Sequence, residues 1–327
     1  MSFTTSKLTI LTRLAFVLSA AVLSAKPALA DDLTISDDRT TSADTATGDG
    51  NGAGDIIIDG AGIVELTNGP AIIINSDNNF TNDGQIQLTS ESDATGVLVD
   101  GSVGNLTGNI INNNLISVPG PPTDSNLIDT PVDNYGIRVN GPGTLTGSVV
   151  NSTAGAIEVG GDESFGIFID TDLTGSIDNQ GRITTIGDDA TSISVNRAVT
   201  GDLSNSGTIN AGGAGGISVY VGGAVGGAIS NTGTINTGAA ESRDIDFNIV
   251  PESSGEASLW IANSVSGGFF NSGNQVTDAL EPGLDAEDPA AAIADANLGA
   301  TGGGPALRIR PGGPSGTFSN ISLGAVG

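Results

Sequence analysis

Residues 166–219 read GIFIDTDLTGSIDNQGRITTIGDDATSISVNRAVTGDLSNSGTINAGGAGGISV, and the repetition inside them decides the fold. An aliphatic-x-aliphatic strand occurs three times, as GIFI (166–169), SISV (192–195) and GISV (216–219). Each is followed by a second strand that ends in Asn: SIDN (176–179), DLSN (202–205) and AISN (228–231). A short third strand follows, as in NQGRI (179–183), NSGTI (205–209) and NTGTI (231–235). Side chains in a strand alternate faces, so the two aliphatic positions share one face and the residue between them takes the other. A unit of this size cannot bury its apolar face alone, so copies must stack.

The same unit is legible on both sides of this stretch. Upstream lie AIII with NFTN (71–82), GVLV with NIIN (96–112) and GIRV with SVVN (136–151). Downstream lie SLWI with GFFN (258–271) and ALRI with TFSN (306–320). The pairs Val97/Val99, Ile137/Val139, Ile167/Ile169, Ile193/Val195, Ile217/Val219, Leu259/Ile261 and Leu307/Ile309 are all aliphatic and predict a buried row. The intervening Leu98, Arg138, Phe168, Ser194, Ser218, Trp260 and Arg308 vary, which predicts a solvated face. In the second strand, period two puts the terminal Asn on the same face as the apolar residue two before it, so it should point inward or lie at the corner. Stacking would therefore build an amide ladder from Asn82, Asn112, Asn151, Asn179, Asn205, Asn231, Asn271 and Asn320, a device of stacked sheets.

The expected fold is all-β: a parallel β-solenoid, right-handed by the crossover rule, with three strands per coil. Its expected span is residues 55–327, with loop insertions at 117–135, 237–257 and 277–305 on one common edge. Residues 288–298, DPAAAIADANL, carry an N-cap Asp and a Pro at the first helical position, which predicts a short helix. Residues 31–54 read as a polar Gly/Asp-rich leader or N-terminal cap.

Residues 1–30 read as a signal peptide: Lys7 and Arg13, then LAFVLSAAVLSA (14–25), then Ala28-Leu29-Ala30, which places cleavage between Ala30 and Asp31. Three of the 10 basic residues lie in this segment and all 37 acidic ones lie after it, so the mature chain carries a net charge of −30 and no lysine. That balance argues against a nucleic-acid partner, whose phosphates need Lys and Arg. The chain is expected to be exported, to the cell surface, the outer membrane or the medium.

The sequence contains no His and no Cys. That removes Ser-His-Asp and Cys-His catalysis and the usual zinc ligand sets. No catalytic residue, metal or cofactor is expected. Residues 48–55, GDGNGAGD, are one imperfect copy of a calcium-binding glycine-rich repeat and read better as a flexible leader. Asp244 and Asp246 supply too few oxygens for Ca²⁺. Glycosidic cleavage by Asp170 and Asp172 near Arg182, or by Asp188 and Asp189, is the enzymatic alternative. Asp is expected at these turns for backbone reasons. The chain's 12 aromatic residues, several placed in the core, leave few for sugar platforms.

Signal peptide, GI-x-V strands, G-x-I-x-N-x-G-x-I strings and an acidic, Cys-free composition together make residues 55–327 resemble the passenger regions of bacterial autotransporters. The resemblance implies a right-handed β-helix carried to the surface by an outer-membrane barrel translocator. No barrel strands follow residue 320, so the chain reads as a truncated passenger. The expected role is a structural or adhesive surface rod, with a glycan or protein ligand that the sequence does not name.

Overall fold

The computed structural model describes residues 32–89, 92–119, 133–238, 241–243, 249–251, 256–271, 297–300 and 307–309. They form a parallel β-solenoid: three nine-stranded sheets, each built by stacking one strand from every coil. No α-helix occurs among the described residues.

The first sheet contains the asparagines, from Leu33–Ile35 through Phe80–Asn82, Ile177–Asn179 and Leu203–Asn205 to Phe269–Asn271. The second runs from Asp38–Arg39 through Leu115–Val118, Arg182–Ile186 and Thr234–Gly238 to Asn297–Ala300. The third runs from Ala43–Asp44 through Tyr135–Asn140, Phe165–Asp170, Thr191–Val195 and Ile217–Val221 to Leu307–Ile309. Every neighbouring pair in these three sheets is parallel and in register, with Asn82, Asn112, Asn151, Asn179, Asn205, Asn231 and Asn271 aligned on one another. Isoleucine fills the matching second-sheet row, Ile86, Ile116, Ile157, Ile183, Ile209 and Ile235, all buried. The inward aliphatics of all coils join in one continuous apolar column.

The coils from Leu106 to Val265 also have a short fourth row. Leu106–Thr107, Leu145–Thr146 and Leu173–Thr174 form a three-stranded sheet, continued by single bridges through Val199, Val225 and Val265. The three strands expected per coil are the three full sheets, and this row is a partial addition to them. The sequence marks this row with a small residue and then Gly: LTG at 106–108, 145–147 and 173–175, VTG at 199–201. Glycine is required there by close stacking of turns. A Cβ on Gly147 would lie 2.0 Å from the Gly108 carbonyl oxygen, and one on Gly175 would lie 1.8 Å from that of Gly147.

Three expectations are corrected. First, pairing begins upstream of residue 55: Leu33 aligns with Ile56, Asp38 with Ile63 and Ala43 with Ile72, so residues 33–44 are a full coil. GDGNGAGD (48–55) is the turn that leaves it, held by Gly48 N–H to Asp44 O and Asn51 N–H to Asp49 Oδ1, each 3.0 Å.

Second, the copy at 216–219 is out of step by two residues. Ile193 aligns with Val219 and Val195 with Val221, which makes Tyr220 the outward residue and carries Ser218 into the interior. Gly-Ile-Ser-Val imitates the motif, but a two-residue slip keeps inward faces inward, so alternation alone does not resolve it.

Third, Asn297–Ala300 pairs with Thr234–Thr237 in the second sheet. The long segment of the last coil thus leaves between the first and second sheets, not at the corner used by 119–133 and 239–256. The tail of the expected helix, Asn297 and Leu298, is strand. Residues 288–296, Asp244 and Asp246, the signal segment and Asn320 lie outside the described residues.

The inward row opposite the third sheet also changes character along the rod. Leu88, Val118 and Val159 give way to Thr185, Ala211 and Thr237, and in the same coils Gly96, Gly136 and Gly166 give way to Ser192, Ser218 and Ser258. All three serines are fully buried. Ser192 Oγ lies 2.9 Å from Thr185 Oγ1, and Ser218 Oγ accepts the Ala211 N–H at 3.0 Å.

Candidate binding face

Three sets of side chains run along the rod axis, and two of them serve the fold. The asparagine ladder is continuous: Asn82 donates through Nδ2 to Asn112 Oδ1 at 2.7 Å, and the same step recurs to Asn151, Asn179, Asn205, Asn231 and Asn271 at 2.7–2.8 Å. The amides of Asn82, Asn112, Asn151, Asn179 and Asn205 also donate to backbone carbonyls, as Asn205 Nδ2 does to Thr234 O at 3.2 Å. The ladder starts at Asn82 because the preceding coil has Ile58 in register, which donates nothing; Asn82 Oδ1 is left buried without a partner.

The second set was not read from the sequence. At the start of the first-sheet strands up to Leu203–Asn205 a side-chain oxygen accepts the backbone N–H of the next coil. The relay runs from Asp32 to the N–H of Asp55, then through Asp55, Asn79, Asn109, Ser148, Ser176 and Asp202 to the N–H of Ala228, at 2.7–3.3 Å. Asp, Asn and Ser are interchangeable acceptors here, which hid the column from a search for one residue type. Burial opposes ionisation of Asp55, yet the Asn79 amide and N–H and the Asn78 amide outweigh it and hold its carboxyl below the usual range.

The carboxylates considered for catalysis are occupied by the same kind of work. Asp170 lies 3.6 Å from Arg197, while Arg182 pairs with Glu158 on another sheet, so the expected Asp170–Arg182 neighbourhood does not form. Asp172 accepts the Ala198 N–H and Asp188 that of Ala214. Asp189 stands in a left-handed conformation, φ 55°, as do Asp93, Asp133 and Glu163 at the same turn of other coils. Among the described residues no group of three or more acidic side chains is placed to hold a metal ion.

The third set lies on the outside of the third sheet and serves no evident need of the core. Register aligns Leu98, Arg138, Phe168, Ser194, Tyr220, Trp260 and Arg308 in one outward row. Tyr135 and Phe165 stand beside it, each three residues earlier in its strand. Tyr135 stacks on Phe165 with centroids 5.4 Å apart and planes 9° apart, and Phe168 packs edge-on against Tyr135. The Arg138 guanidinium lies over the Tyr135 ring at 4.3 Å. Further along, Trp260 packs edge-on to Tyr220 at 5.3 Å, and Arg308 lies over Trp260 at 4.8 Å while pairing with Glu256. Burial raises the Tyr135 phenol pKa, aided by Asp133, Asp170 and Asp93 and opposed by Arg138.

This row corrects the expectation of a simple solvated face. Among the described aromatics, Phe80 and Phe269 are core and Phe270 is exposed on the first sheet, whereas Tyr135, only 6% exposed beneath its ring neighbours, gathers with Phe165, Phe168, Tyr220 and Trp260 outside the core on the third sheet. The row's character was legible in Arg138, Phe168, Trp260 and Arg308; reading Ser218 in place of Tyr220 broke its continuity. A second feature, a shallow depression on the second sheet, is floored by the Arg182–Glu158 pair and edged by Ile186.

Comparison with known protein families, curated proteins and solved structures finds no match for this chain.

Proposed function

We propose that this chain is an exported, surface-exposed structural or adhesive rod of the kind that autotransporter passengers form. The observation that carries the reading is the division of labour between its faces. Interior, asparagine ladder and N–H relay all serve to fix one coil on the next, and the chemically distinctive side chains are set apart on one outer face. A rigid scaffold that displays a patterned surface is what adhesion requires. The engagement of Asp172 and Asp188 by turn N–H groups supports a non-enzymatic role. The signal-like segment 1–30 and the acidic, Cys-free chain support export. The carrier we propose, on the resemblance alone, is an outer-membrane barrel; the coding sequence flanking these residues tests that part.

Export is tested by expressing the full chain in a Gram-negative host and measuring the mass and surface protease sensitivity of the product. The expected species begins at Asp31 and is cleaved by protease added to intact cells. A chain retained in the cytoplasm with residues 14–25 still attached would overturn the reading.

A further inference from the structure

We propose that the outer face of the third sheet binds an extended, sparsely acidic glycan strand, with sugar rings along the aromatic row and a carboxylate at Arg138. This rests on the surface-rod reading and names its ligand class.

The row's geometry is that of a track. Seven consecutive coils contribute Leu98, Arg138, Phe168, Ser194, Tyr220, Trp260 and Arg308, at one strand spacing per coil. Six spacings of about 4.8 Å make it about 29 Å long. One spacing is close to the advance per residue of an extended polysaccharide, so successive rings can meet successive coils. Aromatic side chains supply apolar faces for the C–H surfaces of pyranose rings, and arginine supplies planar forks for carboxylates.

The charges single out Arg138. In a mature chain with 37 acidic and 7 basic side chains, an arginine without an acidic partner is unexpected. Arg182, Arg197 and Arg308 have theirs, and Arg39, which has none among the described residues, spends its donors on the Thr41 and Ser42 carbonyls. The Arg138 side chain makes no hydrogen bond or ion pair among the described residues, and its Nε–H is buried without an acceptor. It is held over Tyr135 between Leu98 and Phe168 in the row. A guanidinium held on an aromatic surface, its terminal N–H groups unpaired among the described residues and not buried, can receive an anionic group from outside.

The net charge of the rod decides how acidic the ligand is. A densely sulfated or polyuronate chain would meet repulsion along its whole length, whereas widely spaced carboxylates let one sit at Arg138 with uncharged rings between. A nucleic acid strand could stack on the same rings, but its phosphate at every residue meets the same repulsion.

Trp260 is the only tryptophan and lies in the row, so its fluorescence reports occupancy directly. The purified protein is titrated at physiological salt with a hyaluronan hexasaccharide, which carries a carboxylate on alternate sugars. Parallel titrations use chitohexaose, a heparin hexasaccharide and single-stranded DNA. Hyaluronan is expected to change Trp260 emission saturably, and Arg138→Gln to weaken it at least about tenfold, the loss of one charge-assisted bond. Tyr220→Ser copies the Ser194 already tolerated in the row and should weaken it severalfold. Both variants should keep the wild-type thermal transition. Should Arg138→Gln fail to fold, Tyr220→Ser carries the test. Chitohexaose and heparin are expected to bind at least about tenfold more weakly than hyaluronan. Absence of a hyaluronan signal, equal binding by folded variants, or tighter binding of heparin or DNA would each overturn the proposal. If the chain is processed and surface-exposed but hyaluronan does not bind, the inference fails and the rod reading stands.

Discussion

The carboxamide of Asn205 receives a hydrogen bond from Asn179 and gives one to Asn231, both at 2.7 Å, at a position only 2% exposed. Asn205→Leu is expected to destabilise by about 1–3 kcal/mol, because both neighbours would keep a buried polar atom without its partner. Ser204→Thr, one residue earlier on the outward face, should stay within about 0.5 kcal/mol. Urea denaturation of the two variants gives the comparison, and equal effects would remove the ladder from the account of stability. Asp55 makes a second test at this scale. Its folded pKa lies below the unfolded value of about 3.9, so between the two the unfolded chain binds more protons and stability rises with pH. The contribution is present above pH ~3.9 and is lost as pH falls through the folded pKa. Asp55→Asn keeps an acceptor but does not titrate. Wild type should therefore lose more stability than the variant between about pH 5 and 2, as read from denaturant midpoints; parallel curves would refute the assignment.

At the scale of the strand and its corner, Ser218 carries the sharpest consequence of the register. Read as an outward residue it would tolerate Thr; in the fold its hydroxyl is buried against Ala211 N–H and Thr237 Oγ1. Ser218→Ala is expected to cost about 1–3 kcal/mol by orphaning the Ala211 N–H, and Ser218→Thr a similar amount by adding a methyl to a filled corner. Tyr220→Ser, outward in the same strand, should leave stability nearly unchanged. If both Ser218 variants melt with wild type, the register drawn here is wrong. The element that misled is also the one that explains what sequence could reveal. Parallel stacking, the aliphatic rows and the asparagine positions follow from period-two alternation repeated in every coil, and they are legible at Ile167/Ile169 and Asn179 without coordinates. The N–H relay was not, because Asp202, Ser176 and Asn109 share only an oxygen at the right height. The Arg138 face was half legible: its residues were named, but their alignment with Tyr220 and their distance from the core needed the register. The coil at 33–44 was missed because its strands are two or three residues long and its Asn position is occupied by Ile35.

For the whole molecule, what matters is that every stabilising set runs along one axis and each coil touches only the coils on either side. Stability should then be close to a sum of coil and neighbour terms, with coupling that dies out over one or two coils. The asparagine ladder allows a direct measurement. Asn179 and Asn205 bond each other at 2.7 Å, whereas Asn112 and Asn231 stand four rungs apart, about 19 Å at one strand spacing per rung. Leucine at 179 and 205 together removes a shared bond only once and lets two apolar side chains meet. The double variant should therefore be less destabilised than the two single variants combined, by at least about 0.5 kcal/mol. Leucine at 112 and 231 together should be additive within about 0.5 kcal/mol. A rod of this length need not unfold in one step, so the quantity to follow is the local opening free energy from amide hydrogen exchange, not a single melting midpoint. Amides of 177–179 and 203–205 should lose protection together in either of the near variants. Amides at 229–231 should be untouched by Asn112→Leu. Loss of protection at 229–231 in Asn112→Leu would mean that the solenoid opens as one body. In that case cooperativity, not neighbour contact, sets its stability.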